Sequence, residues 1–446
     1  MTITTHIFPN GFRLIHEKVE NHAVSSINVF CDVGSIYEPK NLKGASHFIE
    51  HMCFKGTKKV PVPRDIFLTY DKIGAYLNAY TEKRYTCYTV KCDSDYLENI
   101  IEMTSDMMLN STFDKKSFNK EEQVVVEENS KHEDNPVNLL YYQLTEMIYK
   151  GSSFENNVDK LSYHKDNFVY DEVVEFYKLF YKPHRMVFSI TTSCSFNEIK
   201  RYLTKSDYVK QLNTTMDIPQ EYMIIPCVKP QEEMRLEITE LRGYRTSHIG
   251  IAFRIESSDR YIINLFTSIM SGPMSSRLFN LLREKNGLTY SSSVNTNYHR
   301  LHGDITFYAE TDKNKVLKNG SKPGVLPLLI GELNNLLNNG VTKHEIETAK
   351  NYSNGVLKIA SEDIDNLTGH NGENYLIYPS EDIVPFKKIY DKYYKNITKE
   401  DVNKMKHLYE YNSEETLMKT NDALTENQIF RELINKSRNL VTEQET

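Results

Sequence analysis

The sequence contains no apolar run approaching the roughly 18 to 20 residues of a membrane span, which excludes a bilayer-crossing helix. It also lacks any long block of lysine and arginine. With 54 basic against 61 acidic residues and a formal charge of −7, it offers no phosphate footprint and does not read as a nucleic-acid binder. The N-terminus, "MTITTHIFPNGFRLIHEKV", has neither a basic-then-apolar pattern nor an Arg-rich amphipathic leader. It reads at once as two strands around Asn10-Gly11, a favoured hairpin pair. The expectation is a chain that stays where it is made, in the cytoplasm. The six cysteines (Cys31, Cys53, Cys87, Cys92, Cys194, Cys227) include no CxxC pair and are read as free, mostly buried thiols.

At 446 residues the chain is too long for one ordinary core, so two domains of roughly 200 residues each are expected. Hydrophobic residues make up 39% and charged residues 26%, the balance of a globular protein. Strand-like "SSINVFCDVGS" (25–35) is followed by helix-like "GASHFIEHMCF" and "PRDIFLTYDKIG" (63–74). Next comes a Tyr-, Thr- and Val-rich stretch, "AYLNAYTEKRYTCYTVKC" (75–92), with the near-alternation of a hairpin. Helical periodicity dominates from 93 to 182, and "RMVFSITTS" (185–193) returns to strand. Residues 204–236 hold three prolines and little periodicity, as a linker does. The same grammar then repeats: strand 247–255, helices 260–270 and 275–287, strands within 288–311, and long helices from 324 onward. The polar segment 311–324 reads as a loop insertion. The expected division is 1–206, a linker at 207–235, and 236–446, two domains of like plan. Abundant Lys, Asn, Tyr and Ile point to an AT-rich coding sequence, as in a parasite or virus.

Within "GASHFIEHMCFKG" (44–56), His47 and His51 stand four apart and share one face of a helix. Two neutral imidazoles so placed chelate one Zn²⁺ at about 2.0–2.1 Å each. Glu50 borders that face and could act as general base toward the water that a hydrolytic zinc activates. Cys53 would point about 200° away from His51 and is a poor ligand. A third ligand is needed, and "KEEQVVVEENSKHEDNP" (120–136) supplies two carboxylates seven residues apart, Glu121 and Glu128. One can ligate while the other orients a histidine. Taken alone, "HFIEH" is equally the polar face of a solvated helix.

The order His-x-x-Glu-His inverts the commoner zinc-protease motif, and its surroundings resemble the pitrilysin-type (M16) metallopeptidases. "FPNGFRLI" looks like that family's opening hairpin, "GASHFIEHMCFKGT" like its metal helix, and "GAYLNAYTEKRYTCYTV" like its substrate-side strand pair. "EEQVVVEEN" resembles the helix of its third ligand, which falls 128 − 51 = 77 positions after His51. "GPMSSRLFNLLREKNGLTYS" (272–291) and "GVTKHEIETAKNYSNGVL" (340–357) resemble its second-half signatures. The stretches "SGP" (271–273) and "YKGSSFENN" (149–157) depart from the family pattern.

The resemblance implies an α+β fold of two similar domains, each a mostly antiparallel sheet packed with helices, forming half of a clamshell. It implies one Zn²⁺ per chain on His47, His51 and Glu128, with Glu121 supporting and Glu50 as base. Arg283 and Tyr290 would contact substrate near the metal and stabilise the oxyanion. Unfolded peptides or presequences would add to the strand edge at Asn78 and Ala79. A half-length member needs a partner to close a chamber, most simply a homodimer, with a heterodimer of two family chains as the variant. The competing expectations are a non-catalytic peptide-binding subunit and a non-proteolytic zinc hydrolase.

Overall fold

The computed structural model describes residues 3–158, 168–212, 218–225, 243–378 and 383–404. The chain divides into two compact units that are not contiguous in sequence. One comprises Met1–Asp134, Tyr149–Cys227 and Leu357–Ile389; the other comprises Asn135–Ile148, Val228–Val356 and Tyr390–Thr446. A single cut near residue 206 therefore does not reproduce the division by contact. Chain from beyond the expected linker returns to the first unit, and one helix from before it belongs to the second.

The first unit is built on a six-stranded sheet of β1 (Ile3–Ile7), β2 (Arg13–Lys18), β3 (Val24–Cys31), β4 (Tyr76–Thr81), β5 (Thr86–Asp93) and β6 (Met186–Thr192). Their order across the sheet is β1-β2-β6-β3-β5-β4, antiparallel except for the β2–β6 pair. The N-terminal hairpin expected from Asn10-Gly11 is present: Gly11 has φ +83°, and its N–H donates to the Phe8 carbonyl at 2.8 Å. β6 and nearly all of β3 are buried, because helix Ile364–Ile377 covers them from one face. Burial on both faces is why adjacent residues such as Val29 and Phe30, or Val187 and Phe188, are both apolar rather than alternating with polar ones. The helix lies so close that a Cβ on Gly372 would clash with the Phe30 ring.

The first helices along the chain are α1 (Ala45–Cys53), α2 (Pro63–Asp71), α3 (Leu97–Leu109) and α4 (Lys115–Glu133). In α1, Phe48, Ile49, Met52 and Cys53 are fully buried, which leaves His47 and His51 on the half-exposed face. Phe48 meets Phe118 of α4 edge-on at 4.7 Å between ring centroids. Burying each ring contributes roughly 1.5–3 kcal/mol and fixes the two helices side by side. α4 starts cleanly, with the Asp114 carboxylate accepting from the Ser117 N–H at 2.9 Å.

The second unit carries β7 (Thr246–Glu256), β8 (Thr289–Tyr298) and β9 (His302–Asp312), antiparallel in the order β7-β9-β8. Helix Pro136–Ile148 packs on β7, and helix Arg260–Met270 on β8. The polar segment 311–324 contains a two-residue-per-strand hairpin, Lys318–Asn319 with Lys322–Pro323. The expected two sheet-and-helix domains, mostly antiparallel, are the architecture observed.

Of the six cysteines, Cys31, Cys53, Cys87 and Cys92 are buried and free, and Cys194 is free and partly exposed; Cys227 lies outside the described residues.

Candidate metal centre

The helix that carries the two histidines begins at Gly44, whose φ of +87° turns the chain into α1 and is disfavoured for a residue with a Cβ. No side chain within the helix caps it. Glu38 does so from the preceding loop, its Oε2 accepting from the Gly44 N–H and its Oε1 from the Ser46 N–H, both at 2.7 Å. The negative group thus sits at the positive end of the helix dipole. Burial pushes the Glu38 carboxyl up to about 7, and the N–H bonds pull the other way. The Glu38 backbone is tied down in turn, since the Asn156 side-chain amide donates to its carbonyl at 3.3 Å.

Beyond this start, His47 and His51 project toward α4 with their Nε2 atoms 3.2 Å apart. Glu128 Oε2 lies 3.6 Å from His51 Nε2. One ligand atom from each of His47, His51 and Glu128 falls within a 4.8 Å circle, the only such trio among the described residues. Two atoms each bound at about 2.0–2.1 Å to a tetrahedral zinc lie about 3.3 Å apart, close to the 3.2 and 3.6 Å separations of His51 Nε2 from His47 and Glu128. Cys53 is not among the three.

The nitrogen that faces the cluster is fixed from behind. His51 Nδ1 lies 2.9 Å from Glu121 Oε1. A neutral imidazole with its proton on Nδ1 donates it there and leaves the Nε2 lone pair free for a cation. The other Glu121 oxygen accepts from Lys55 Nζ at 2.7 Å. Burial raises the Glu121 carboxyl, but the bonds to His51 and Lys55 outweigh it and hold the group below its ordinary range. Burial also lowers His51. The Glu121 hydrogen bond and the charges of Glu50, Glu121 and Glu128 prevail and raise it, so this face attracts positive charge.

Glu50 follows on the same helix, with 7% of its surface exposed. Its Oε2 accepts from the Thr81 hydroxyl at 2.6 Å, which links α1 to the end of edge strand β4. On β4 the odd residues Leu77, Ala79 and Thr81 are half-buried, and Tyr76, Asn78 and Tyr80 are exposed. Asn78 folds back on its own strand, its Oδ1 accepting from the Ala79 N–H at 2.9 Å and its Nδ2 donating to the Tyr76 hydroxyl at 3.2 Å. The Ala79 N–H is therefore satisfied locally.

The remaining two candidates stand on the second unit. Arg283 is exposed on a π-helical turn, Phe279–Glu284, with its guanidinium 5.4 Å over the Phe279 ring. Such turns recur at functional sites. Tyr290 is 60% exposed on β8 and donates to Asp312 Oδ1 at 3.2 Å. Three residues that support the candidate site were not raised by the sequence reading: Glu38 and Thr81, which gave no signal, and Lys55. Lys55 stands four after His51, so helical spacing could have raised it as a partner for Glu121.

Residues 13–160 match the insulinase family (peptidase family M16), and residues 167–353 match the M16 inactive domain. An uncharacterized zinc protease of Bacillus subtilis, YmxG, is 28% identical over 372 residues, covering 82% of this chain and 87% of that protein. The beta subunit of the mitochondrial processing peptidase of Dictyostelium discoideum is 27% identical over 210 residues, 47% of this chain and 45% of that one. Among solved structures, a protease from Helicobacter pylori superposes with a TM-score of 0.82 at 18% identity, covering 91% of this chain and 96% of that one. Among the described residues, no helix is long and apolar enough to cross a membrane.

Proposed function

The chain belongs to the insulinase (M16) family of peptidases, and on that premise we propose that it is a zinc-dependent endopeptidase of unfolded peptides or presequences. The observation that carries this reading is the convergence of His47, His51 and Glu128 within 4.8 Å, one helix position away from buried Glu50. A zinc ion held by those three groups would supply Lewis acidity, polarising the scissile carbonyl and easing deprotonation of a water. Glu50 accepts that water's proton on its carboxylate and returns it to the leaving nitrogen as the C–N bond breaks. Glu121 holds the His51 tautomer throughout.

Substrate adds as a strand along β4, with main-chain hydrogen bonds giving affinity at little cost in sequence selectivity. Asn78 turns away from the Ala79 N–H to let the peptide pair there. Arg283 binds a peptide carbonyl, and Tyr290 stabilises the developing oxyanion. Two chains form a homodimer whose closed chamber excludes folded proteins, with Arg283 and Tyr290 of one chain completing the centre of the other. That a relative is named as a subunit supports an assembly of more than one chain.

A second reading, a non-catalytic peptide-binding subunit, draws support from the inactive-domain match of the second half. Retention of all three ligand candidates and of Glu50 supports the catalytic reading instead. The deciding experiment measures bound zinc and cleavage of a quenched fluorescent peptide. Glu50→Gln should keep its zinc and lose at least ~10²-fold in rate, and Glu128→Gln should lose zinc. Normal cleavage by Glu50→Gln, or none by a zinc-loaded wild type, ends the catalytic reading.

A further inference from the structure

β4 has two roles that meet at its C-terminal end. As the last strand of the six it presents an edge with no neighbouring strand among the described residues, and at residue 81 it reaches helix α1. Thr81 is pinned there by its pairing with Thr86 and by the turn that follows, where the Glu82 N–H donates to the Tyr85 carbonyl at 2.7 Å. From this fixed point its hydroxyl donates to Glu50 Oε2 at 2.6 Å. A hydroxyl–carboxylate bond of that length is charge-assisted, and with Glu50 only 7% exposed water competes little for it.

We propose that Thr81 is a positioning residue for Glu50, committing Oε2 to its hydroxyl so that proton exchange with water and with the leaving nitrogen runs through Oε1. The proposal rests on the hydrolytic reading above. As the water oxygen bonds to the carbonyl carbon, its proton passes to Oε1. The same proton goes to the amide nitrogen as the C–N bond breaks, which restores the carboxylate. A long Glu side chain has three torsions to fix, and a strand-held donor fixes the carboxylate plane. Because the donor stands on the docking strand itself, one rigid element sets both the position of the peptide and the orientation of the base.

The test uses the full zinc-loaded chain and a quenched fluorescent peptide, comparing wild type with Thr81→Val, Thr81→Ala and Thr81→Ser, each alone and combined with Glu50→Gln. Thr81→Val and Thr81→Ala should lower kcat about 10- to 100-fold, the loss expected for a hydrogen bond to a charged group. KM should stay within about twofold, and zinc content and Tm should match wild type. Thr81→Ser should recover most of the rate. In the Glu50→Gln background, Thr81→Val should cost nothing further. Wild-type kcat in either folded variant, a Ser variant as slow as Val, or an equal loss without Glu50 overturns the proposal. A zinc-loaded wild type that cleaves no peptide removes the hydrolytic reading and this inference with it. A cleaving wild type indifferent to Thr81 removes this inference alone.

Discussion

Glu121 holds the rear nitrogen of His51 at 2.9 Å, and the front nitrogen of the same ring lies 3.2 Å from that of His47. One carboxylate thus decides which face of His51 a cation meets, and Lys55 on its other oxygen keeps that carboxylate charged.

Replacing Glu121 by Gln removes the charge and lets the amide present either an acceptor or a donor to Nδ1. Zinc affinity should fall about 10- to 100-fold, as measured by competition with a chelator. Excess zinc should then restore much of the peptide cleavage. An unchanged affinity would show that His51 needs no support.

Glu38 is the only cap of α1 observed, and it is separated from the histidines by a loop. Glu38→Ala leaves the Gly44 and Ser46 N–H groups buried without their acceptor, which costs about 1–3 kcal/mol. The denaturant midpoint should drop accordingly. If it does not move, the carboxylate is not what anchors α1.

In the second unit, Arg277 joins two helices. It donates to Glu345 at 2.6 and 2.9 Å, to Glu332 at 2.8 Å and to the Gly340 carbonyl at 3.0 Å. Despite burial, which acts upward, the Arg277 bonds and the Thr342 N–H depress the Glu345 carboxyl to about 2. A depressed folded-state value means stability that is full above the ordinary carboxylate range, near 4.5, and lost as pH falls from there toward 2. Tm measured across that window should decline for wild type and decline less for Glu345→Gln. Equal slopes would contradict the linkage.

The dimer proposal has its own check. His47→Ala and Arg283→Ala chains are each expected to be nearly inactive. If the second unit of one chain completes the centre of the other, mixing them leaves one composite site intact in every mixed dimer, and activity should reappear. Should the mixture stay as inactive as its components under conditions of subunit exchange, the arrangement in trans is ruled out.

Local repetition made much of the centre legible. Histidines four apart share a helix face wherever that helix ends up, and carboxylates seven apart do the same. The N-terminal hairpin, the strand pair 75–92 and the helix of the third ligand are read the same way, because backbone periodicity is a short-range property. The resemblance selected Glu128 over Glu121 as ligand. In the structure Glu128 lies near Nε2 of His51 and Glu121 on Nδ1.

The sequence by itself determined the repeated strand-and-helix grammar of the two halves and the spacing of the metal-binding candidates, since both follow from patterns that repeat within a few turns or strands, while the antiparallel α+β plan came with the family resemblance. Only the tertiary structure decided that Glu38 caps α1, that Thr81 reaches Glu50 across 31 positions, and that helix Ile364–Ile377 returns to cover the first sheet. Those contacts join segments with no common period. Which of many similar carboxylates, hydroxyls or apolar faces meets which is set by how the layers pack against one another.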